Sequence, residues 1–242
     1  MRIEVSLTPA LYSFRTITSG HTTVAIDVLR ATTAVCAAFQ AGCCEVVPLD
    51  SLEALDSYRT EGYAIAAERG GKKLQGSDYG NSPTEYLRND MTGIRLAYST
   101  TNGTVCILRG ADADTTFVGA FANLTALAER LRNAGRDTVL LCSGWQNDFC
   151  IEDTLMAGAL LERLADVATP YGDAAQMALS LWQMAKDDPY KYCRRCSHVH
   201  RLEGFGAVED IVFAFRQDTC PVVPVLIDGK LTCDSRRGGV HR

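Results

Sequence analysis

The sequence predicts an α/β protein, a three-layer α/β/α arrangement around a mixed, largely parallel sheet. Three observations lead there. Short β-rich runs alternate with stretches of helical periodicity, the pattern of helices packed on a largely parallel sheet. The order along the chain is strand, then helix. A chain of 242 residues with 47% apolar residues can bury a substantial core, and it carries no repeat, low-complexity tract or linker long enough to separate domains. The expectation is one α/β domain spanning residues 1–242.

The strand candidates, in order, are IEVSL, TVAIDV, EVVPL, YAIAAE, RLAYST, TTFVGA, DTVLLC, DIVFAF and VVPVLI. Helical periodicity lies between them in ATTAVCAAFQAG, with Gly42 as the C-cap, and in SLEALDSYRTEG, NLTALAERLRNAG and CIEDTLMAGALLERLADV. From about 170 to 200 strands give way to DAAQMALSLWQMAKDDPYKYCRRCSHVH, which reads as a mainly helical insertion before two terminal strands return.

A formal net charge of -5 argues against a nucleic-acid binder, which needs a basic face to neutralise phosphates. No apolar run approaches the roughly 18 to 20 residues that cross a bilayer, and MRIEVSLTPALYSF has no signal-peptide core. The expectation is a cytoplasmic protein with a small-molecule partner, no nucleic acid and no membrane, and a homodimer is compatible with the chain. Ten cysteines in such a chain read as small buried apolar residues rather than a disulfide framework; Cys36, Cys106 and Cys150 sit in apolar stretches.

In sheets of this kind ligands bind outside the carboxyl ends of the strands, and three segments there are rich in polar chemistry. DVLRATT at 27–33 offers a carboxylate (Asp27), a guanidinium (Arg30) and two hydroxyls at a helix start, where free N–H groups suit phosphate. It fits equally a pair of capping threonines with Asp27 and Arg30 bound to each other. The loop RGGKKLQGSDYGNSPTEY gathers Arg69, Lys72 and Lys73 among glycines; it suits an anion, although composition alone favours an ordinary surface loop. STTNGT supplies hydroxyls from Ser99, Thr100, Thr101 and Thr104, the Asn102 amide, and Gly103 for a close backbone approach. It resembles a phosphate cradle but lacks the spacing and lysine of a Walker A loop. Glu152 and Asp153 begin a helix, where acidic residues also stabilise the dipole.

Taken together, DVLRATT, ERGGKKLQGSDYGNSPTEY, STTNGT, VGAFANLTALA, CSGWQNDFCIED, SHVHRL, EDIVFAF and VVPV, in this order over nearly the whole chain, resemble the 2-phosphosulfolactate phosphatase family. The resemblance implies a three-layer α/β/α fold and Mg²⁺-dependent hydrolysis of (R)-2-phospho-3-sulfolactate to 3-sulfolactate and phosphate, a step of coenzyme M biosynthesis. CSGWQNDFCIED departs from the alanine- or glycine-rich start, and the Ser before the Leu/Ile-Glu-Asp end, that the resemblance leads one to expect.

On this reading Asp27, Arg30, Glu152 and Asp153 are catalytic, and Arg30, Arg69 and Lys72 meet the anionic charge. Mg²⁺ needs only one or two carboxylates besides substrate phosphate; Asp27, Glu68 and Glu152 are the expected ligands, with Asp78, Glu85 and Asp153 as further carboxylates. Arg69, Lys72, Asn81, Ser99, Thr100, Thr101, Asn102, Gly103, Thr104 and His198 bind substrate. Asp27 serves as metal ligand for direct attack by water in preference to an aspartyl nucleophile, and Glu152 or Asp153 as base.

Other readings remain. A haloacid-dehalogenase-type nucleophile loop needs Asp-x-Asp, and position 29 is Leu. A phosphatase of another small phospho-hydroxy acid, or a non-catalytic phosphometabolite-binding module, would keep the cradle and the basic residues. A thiol phosphatase needs C-x5-R, which is absent at Cys142. Cys193, Cys196, His198 and His200 imitate a zinc site, but one tight segment would have to wrap the ion alone.

Overall fold

The computed structural model describes residues 1–233. Its strands are β1 (Arg2–Ser6), β2 (Thr22–Ile26), β3 (Glu45–Leu49), β4 (Ala64–Arg69), β5 (Lys72–Lys73), β6 (Arg95–Ser99), β7 (Thr115–Gly119), β8 (Thr138–Cys142), β9 (Thr169–Tyr171), β10 (Pro224–Ile227) and β11 (Lys230–Cys233). The helices are α1 (Ala31–Gln40), α2 (Leu55–Thr60), α3 (Pro83–Arg88), α4 (Gly103–Arg109), α5 (Leu124–Ala134), α6 (Ile151–Arg163), α7 (Asp173–Ala185), α8 (Pro189–Cys193), α9 (Ser197–Glu203) and α10 (Val208–Ala214).

All strands join one sheet, ordered β5-β4-β6-β3-β11-β10-β7-β2-β8-β1-β9. Two parallel blocks, β4-β6-β3 and β7-β2-β8-β1-β9, flank the antiparallel hairpin β10–β11. The sheet is therefore mixed and mostly parallel, with helices on both faces, a three-layer α/β/α fold. The central strands show why. In β2 and β8, Val24, Ile26, Leu140 and Cys142 enter one apolar layer with α5, α6 and α7, while Ala25, Val139 and Leu141 enter the other with α1 and α4. Alternate side chains point to opposite faces, so a strand covered on both sides must be apolar throughout.

The stretch at 170–200 contains α7, α8 and the start of α9 behind the edge strand β9. Ala178, Trp182, Cys193 and Val199 from it share the apolar layer of β1, β2 and β8. One assignment needs correction: DIVFAF is not a strand but most of α10. Ile211, Ala214 and Phe215 are buried at i, i+3 and i+4, a helical stripe inside a β-branched and aromatic run. The short strands β5, β9 and β11 and the helices α3 and α4 were also not separable by periodicity. None of the described helices is long and apolar enough to cross a membrane.

Candidate active site

The carboxyl ends of the two parallel blocks converge on one cleft. Asp27 follows β2, Glu68 sits near the end of β4, and Thr100 and Asn102 follow β6. Arg30 enters from the start of α1, Asn81 from the loop before α3, and Trp145 from the loop after β8. His198 and Arg201, three residues apart on α9, close the opposite side.

Asp27 is held at the junction of three elements. One carboxylate oxygen accepts from the Ala31 N–H at 3.2 Å and the other from the Ser143 hydroxyl at 3.2 Å. A Cβ on Gly103 would stand 2.6 Å from Asp27 Oδ2 and 2.2 Å from the Ala31 Cβ. The glycine of STTNGT thus leaves room for the aspartate itself. Burial pushes the Asp27 carboxyl up to about 6, opposed by the nearby His198 and assisted by Glu68. Thr32 and Thr33 turn inward: their hydroxyls donate to the carbonyls of Asp27 and Val28, both at 2.8 Å.

Glu68 is also buried. Its carboxylate accepts from the Gly71 N–H and from the Thr101 hydroxyl, the latter at 3.1 Å, which ties β4 to the loop after β6. Thr100 and Thr104 bond reciprocally, Thr104 N–H to the Thr100 hydroxyl at 3.1 Å and Thr100 N–H to the Thr104 hydroxyl at 3.3 Å. Within STTNGT, Thr100 and Thr104 therefore brace the first turn of α4, the hydroxyls of Ser99 and Thr101 meet Arg69 and Glu68 of β4, and Thr100 and Asn102 line the cleft. The Asn81 side-chain oxygen accepts from Tyr98 OH, which orients its amide.

The cationic side is unequal. Arg30 does not pair with Asp27; its guanidinium donates to buried Asp210 at 2.7 Å and to the Gly71 carbonyl at 2.7 Å. Asp210 also accepts from the hydroxyls of Ser82 at 2.7 Å and Thr84 at 2.6 Å, so Arg30 is charge-balanced and fixed in direction. Arg201 instead lies over Trp145, its guanidinium carbon 3.4 Å from the ring centroid. Its buried Nε has no partner, and among the described residues no carboxylate pairs with it. Burial lowers its pKa below the usual arginine value, an imbalance that an incoming anion would relieve.

Several expected residues lie elsewhere. Arg69 donates to the Glu68 carbonyl at 2.6 Å and the Ser99 hydroxyl at 2.9 Å, away from the cleft lining. Lys72 is exposed over the Phe205 ring at 4.9 Å. Asp78 accepts from the Ile65 N–H at 2.7 Å, and Glu85 pairs with Lys73 at 3.2 Å. Asp153 places its two oxygens on the N–H groups of Val28 at 2.8 Å and Gly144 at 3.0 Å. Its carboxyl is raised by burial and by Asp27 and Glu152, and it clamps the loops after β2 and β8 together. Glu152 stands behind His198, its Oε1 2.7 Å from Nδ1. Of the remaining zinc candidates, Cys193 and Cys196 are buried and His200 is exposed beside Glu203 at 3.4 Å.

Trp145, Arg201 and Asp210 were not among the expected site residues. Arg201 is the fifth residue of SHVHRL and was legible as a cation three residues from His198; Asp210 was hidden by the strand reading of DIVFAF.

The cleft thus pairs two buried carboxylates with one guanidinium in an ion pair and one that forms none among the described residues. Such a site can hold a cation between Asp27 and Glu68 and an anion against Arg201. A family model described as 2-phosphosulpholactate phosphatase matches residues 7–229. Among curated proteins named "Probable 2-phosphosulfolactate phosphatase", one from Synechococcus sp. (strain JA-3-3Ab) is 40% identical over 83% of this chain and 86% of its own length. One from Gloeobacter violaceus is 36% identical over 93% and 94%, and one from Thermotoga petrophila 35% over 86% and 90%. With a match that runs from the residue after β1 to the β10–β11 turn and takes in every residue of the cleft, the chain belongs to the 2-phosphosulpholactate phosphatase family of hydrolases.

Proposed function

We propose that the chain hydrolyses (R)-2-phospho-3-sulfolactate to 3-sulfolactate and phosphate, with Mg²⁺ as cofactor, as in coenzyme M biosynthesis. The observation that carries this reading is the polarity of the cleft: Asp27 and Glu68 on one side, and Arg201 with an unpartnered buried Nε on the other. Two buried carboxylates repel a phosphate ester unless a cation stands between them. All their donor atoms are oxygens, which fits Mg²⁺. Asp27 and Glu68 would hold the ion, which supplies neutralisation of phosphoryl charge and orientation of the attacking water. Arg201 binds an anionic group of the substrate, and Arg30, fixed by Asp210, directs a second positive charge at the same space. Trp145 covers Arg201 and limits its hydration. Asn81, Thr100 and Asn102 offer hydrogen bonds to substrate oxygens. Water attacks phosphorus, keeping one proton on the phosphate formed and losing the other to solvent; the bond from phosphorus to the hydroxy-acid oxygen breaks, and that oxygen takes a proton from Nε2 of His198, which regains one from solvent.

The test is a phosphate-release assay with 2-phospho-3-sulfolactate beside 2-phospholactate and phosphoglycolate, with and without Mg²⁺. Preference for the sulfonate ester that disappears without Mg²⁺ supports the reading; equal turnover of all three points to another small phospho-hydroxy acid, and no turnover points to a binding module. Single turnover in ¹⁸O water separates the two roles of Asp27: label in its carboxylate would identify a nucleophile, label only in phosphate a ligand.

A further inference from the structure

Behind His198, on the side away from the cleft, Cys150 and Glu152 converge with it although they are remote in sequence. The Cys150 Sγ, a Glu152 carboxylate oxygen and a His198 ring nitrogen all lie within 4.8 Å of one another, and all three residues are buried. Cys150 Sγ is 3.6 Å from His198 Nδ1, and Nδ1 is 2.7 Å from Glu152 Oε1. Glu152 is only 1% exposed, yet neither of its carboxylate oxygens has an aligned hydrogen-bond partner. A buried carboxylate is normally satisfied several times over. This one faces a thiol and an imidazole instead, and it is absent from the lining of the cleft that holds Asp27 and Glu68.

We propose that Cys150, Glu152 and His198 form a binding site for a d-block divalent cation of the zinc type, distinct from the Mg²⁺ position. One sulfur, one nitrogen and one oxygen suit such an ion, whereas Mg²⁺ takes oxygen and avoids thiolate. Ligands around tetrahedral zinc stand roughly 3.3 to 3.8 Å apart, given metal–ligand lengths of about 2.0 to 2.3 Å, so small side-chain rotations suffice. Three protein ligands leave a fourth position open. A neighbouring cavity lined by Asp148, Phe149, Cys196 and Ser197 as well as by the three ligands gives the ion a route in and room for a water. The fold thereby removes the objection to a zinc site in CRRCSHVH: His198 contributes from that segment, and the Cys-x-Glu of the α6 start supplies the other ligands. Coordination at Nδ1 requires the proton on Nε2, and the thiol proton leaves to solvent.

The site is read without turnover, so its failure is separate from any failure of the phosphatase assignment. Chelator-stripped full-length protein is titrated with Co²⁺, which reports thiolate ligation by a near-ultraviolet charge-transfer band. The expected result is one equivalent bound with that band, displaced by Zn²⁺ but not by millimolar Mg²⁺. The band is lost in Cys150→Ser, and affinity falls by at least about tenfold in Glu152→Gln; Cys150→Ala and the unfolding midpoint of each variant control for folding. Absence of a thiolate band overturns the proposal. So does a band that persists in Cys150→Ser and disappears in Cys196→Ser, which would place the ion on the Cys193–Cys196 pair.

Discussion

Asp27 and Asp153 both bond across the seam between the loops after β2 and β8, and they differ in what else they can reach. Both are buried, and burial raises both carboxyls. Asp153 has one backbone N–H on each oxygen, from Val28 and Gly144, and does not line the cleft. Asp27 opens onto the cleft beside Glu68 and His198. The same residue type, similarly desolvated and with one hydrogen bond on each oxygen in both places, is closed in where two backbone N–H groups clamp it and reachable by a ligand where it lines the cleft.

The sharpest way to break this contrast is Asp27→Asn. Turnover is expected to fall by on the order of 10³-fold, about 4 kcal/mol of barrier. Stability is expected to rise or hold. A carboxyl raised from 3.8 to about 6 in the fold binds its proton more tightly folded than unfolded, so ionisation destabilises the fold as pH climbs from 3.8 towards 6 and fully above it, by roughly 3 kcal/mol. Thermal unfolding at neutral pH beside initial rates checks both signs; a variant both inactive and strongly destabilised would make Asp27 a second clamp.

Arg30→Ala should act mainly on the fold. Its loss leaves buried Asp210 unpaired, which costs about 3 to 5 kcal/mol in unfolding free energy. For Arg30 the Asp210 partnership makes the stability effect large, and for Arg69 its placement outside the cleft lining makes the effect on rate the smaller. Denaturant midpoints of the two variants rank them.

Asp153→Ala is expected to lose about 3 kcal/mol of stability, because two buried N–H groups lose their acceptors. At a temperature where it stays folded it should keep far more activity than Asp27→Asn, and equal inactivation would restore Asp153 to the catalytic role expected for it. The pH profile adds a smaller effect: with Asp27 required as the anion, kcat/KM should fall about tenfold per unit as pH drops below about 6. A limb displaced to pH 4 would mean that bound Mg²⁺ or Glu68 sets the titration instead. Lys72→Ala, at the exposed Phe205 contact, should change stability by less than about 1 kcal/mol and rate by less than about twofold.

Much of this was legible in the chain. Seven of the first strands and the four long helices follow from two-sided apolar runs and 3.6-residue periodicity, because the forces that form them are local or act on a whole face. Cys36 and Cys106 are buried in the core as their apolar surroundings implied. DIVFAF was ambiguous because a short β-branched run suits either state until its neighbours are known; packing of Ile211, Ala214 and Phe215 decided for helix.

The sequence by itself determined the residue types at the strand ends, Asp27, Glu68, the hydroxyls and glycine of STTNGT, and their order, and these carried the family resemblance. Which of them share a space was decided by tertiary structure alone. Gly103 leaves room for Asp27, Arg30 belongs to Asp210 across 180 residues, and Arg201 lies over Trp145 with a buried Nε that has no partner. Charge pairing and desolvation depend on distances between segments remote in sequence, and no local pattern encodes which guanidinium finds a carboxylate and which is left waiting for a ligand.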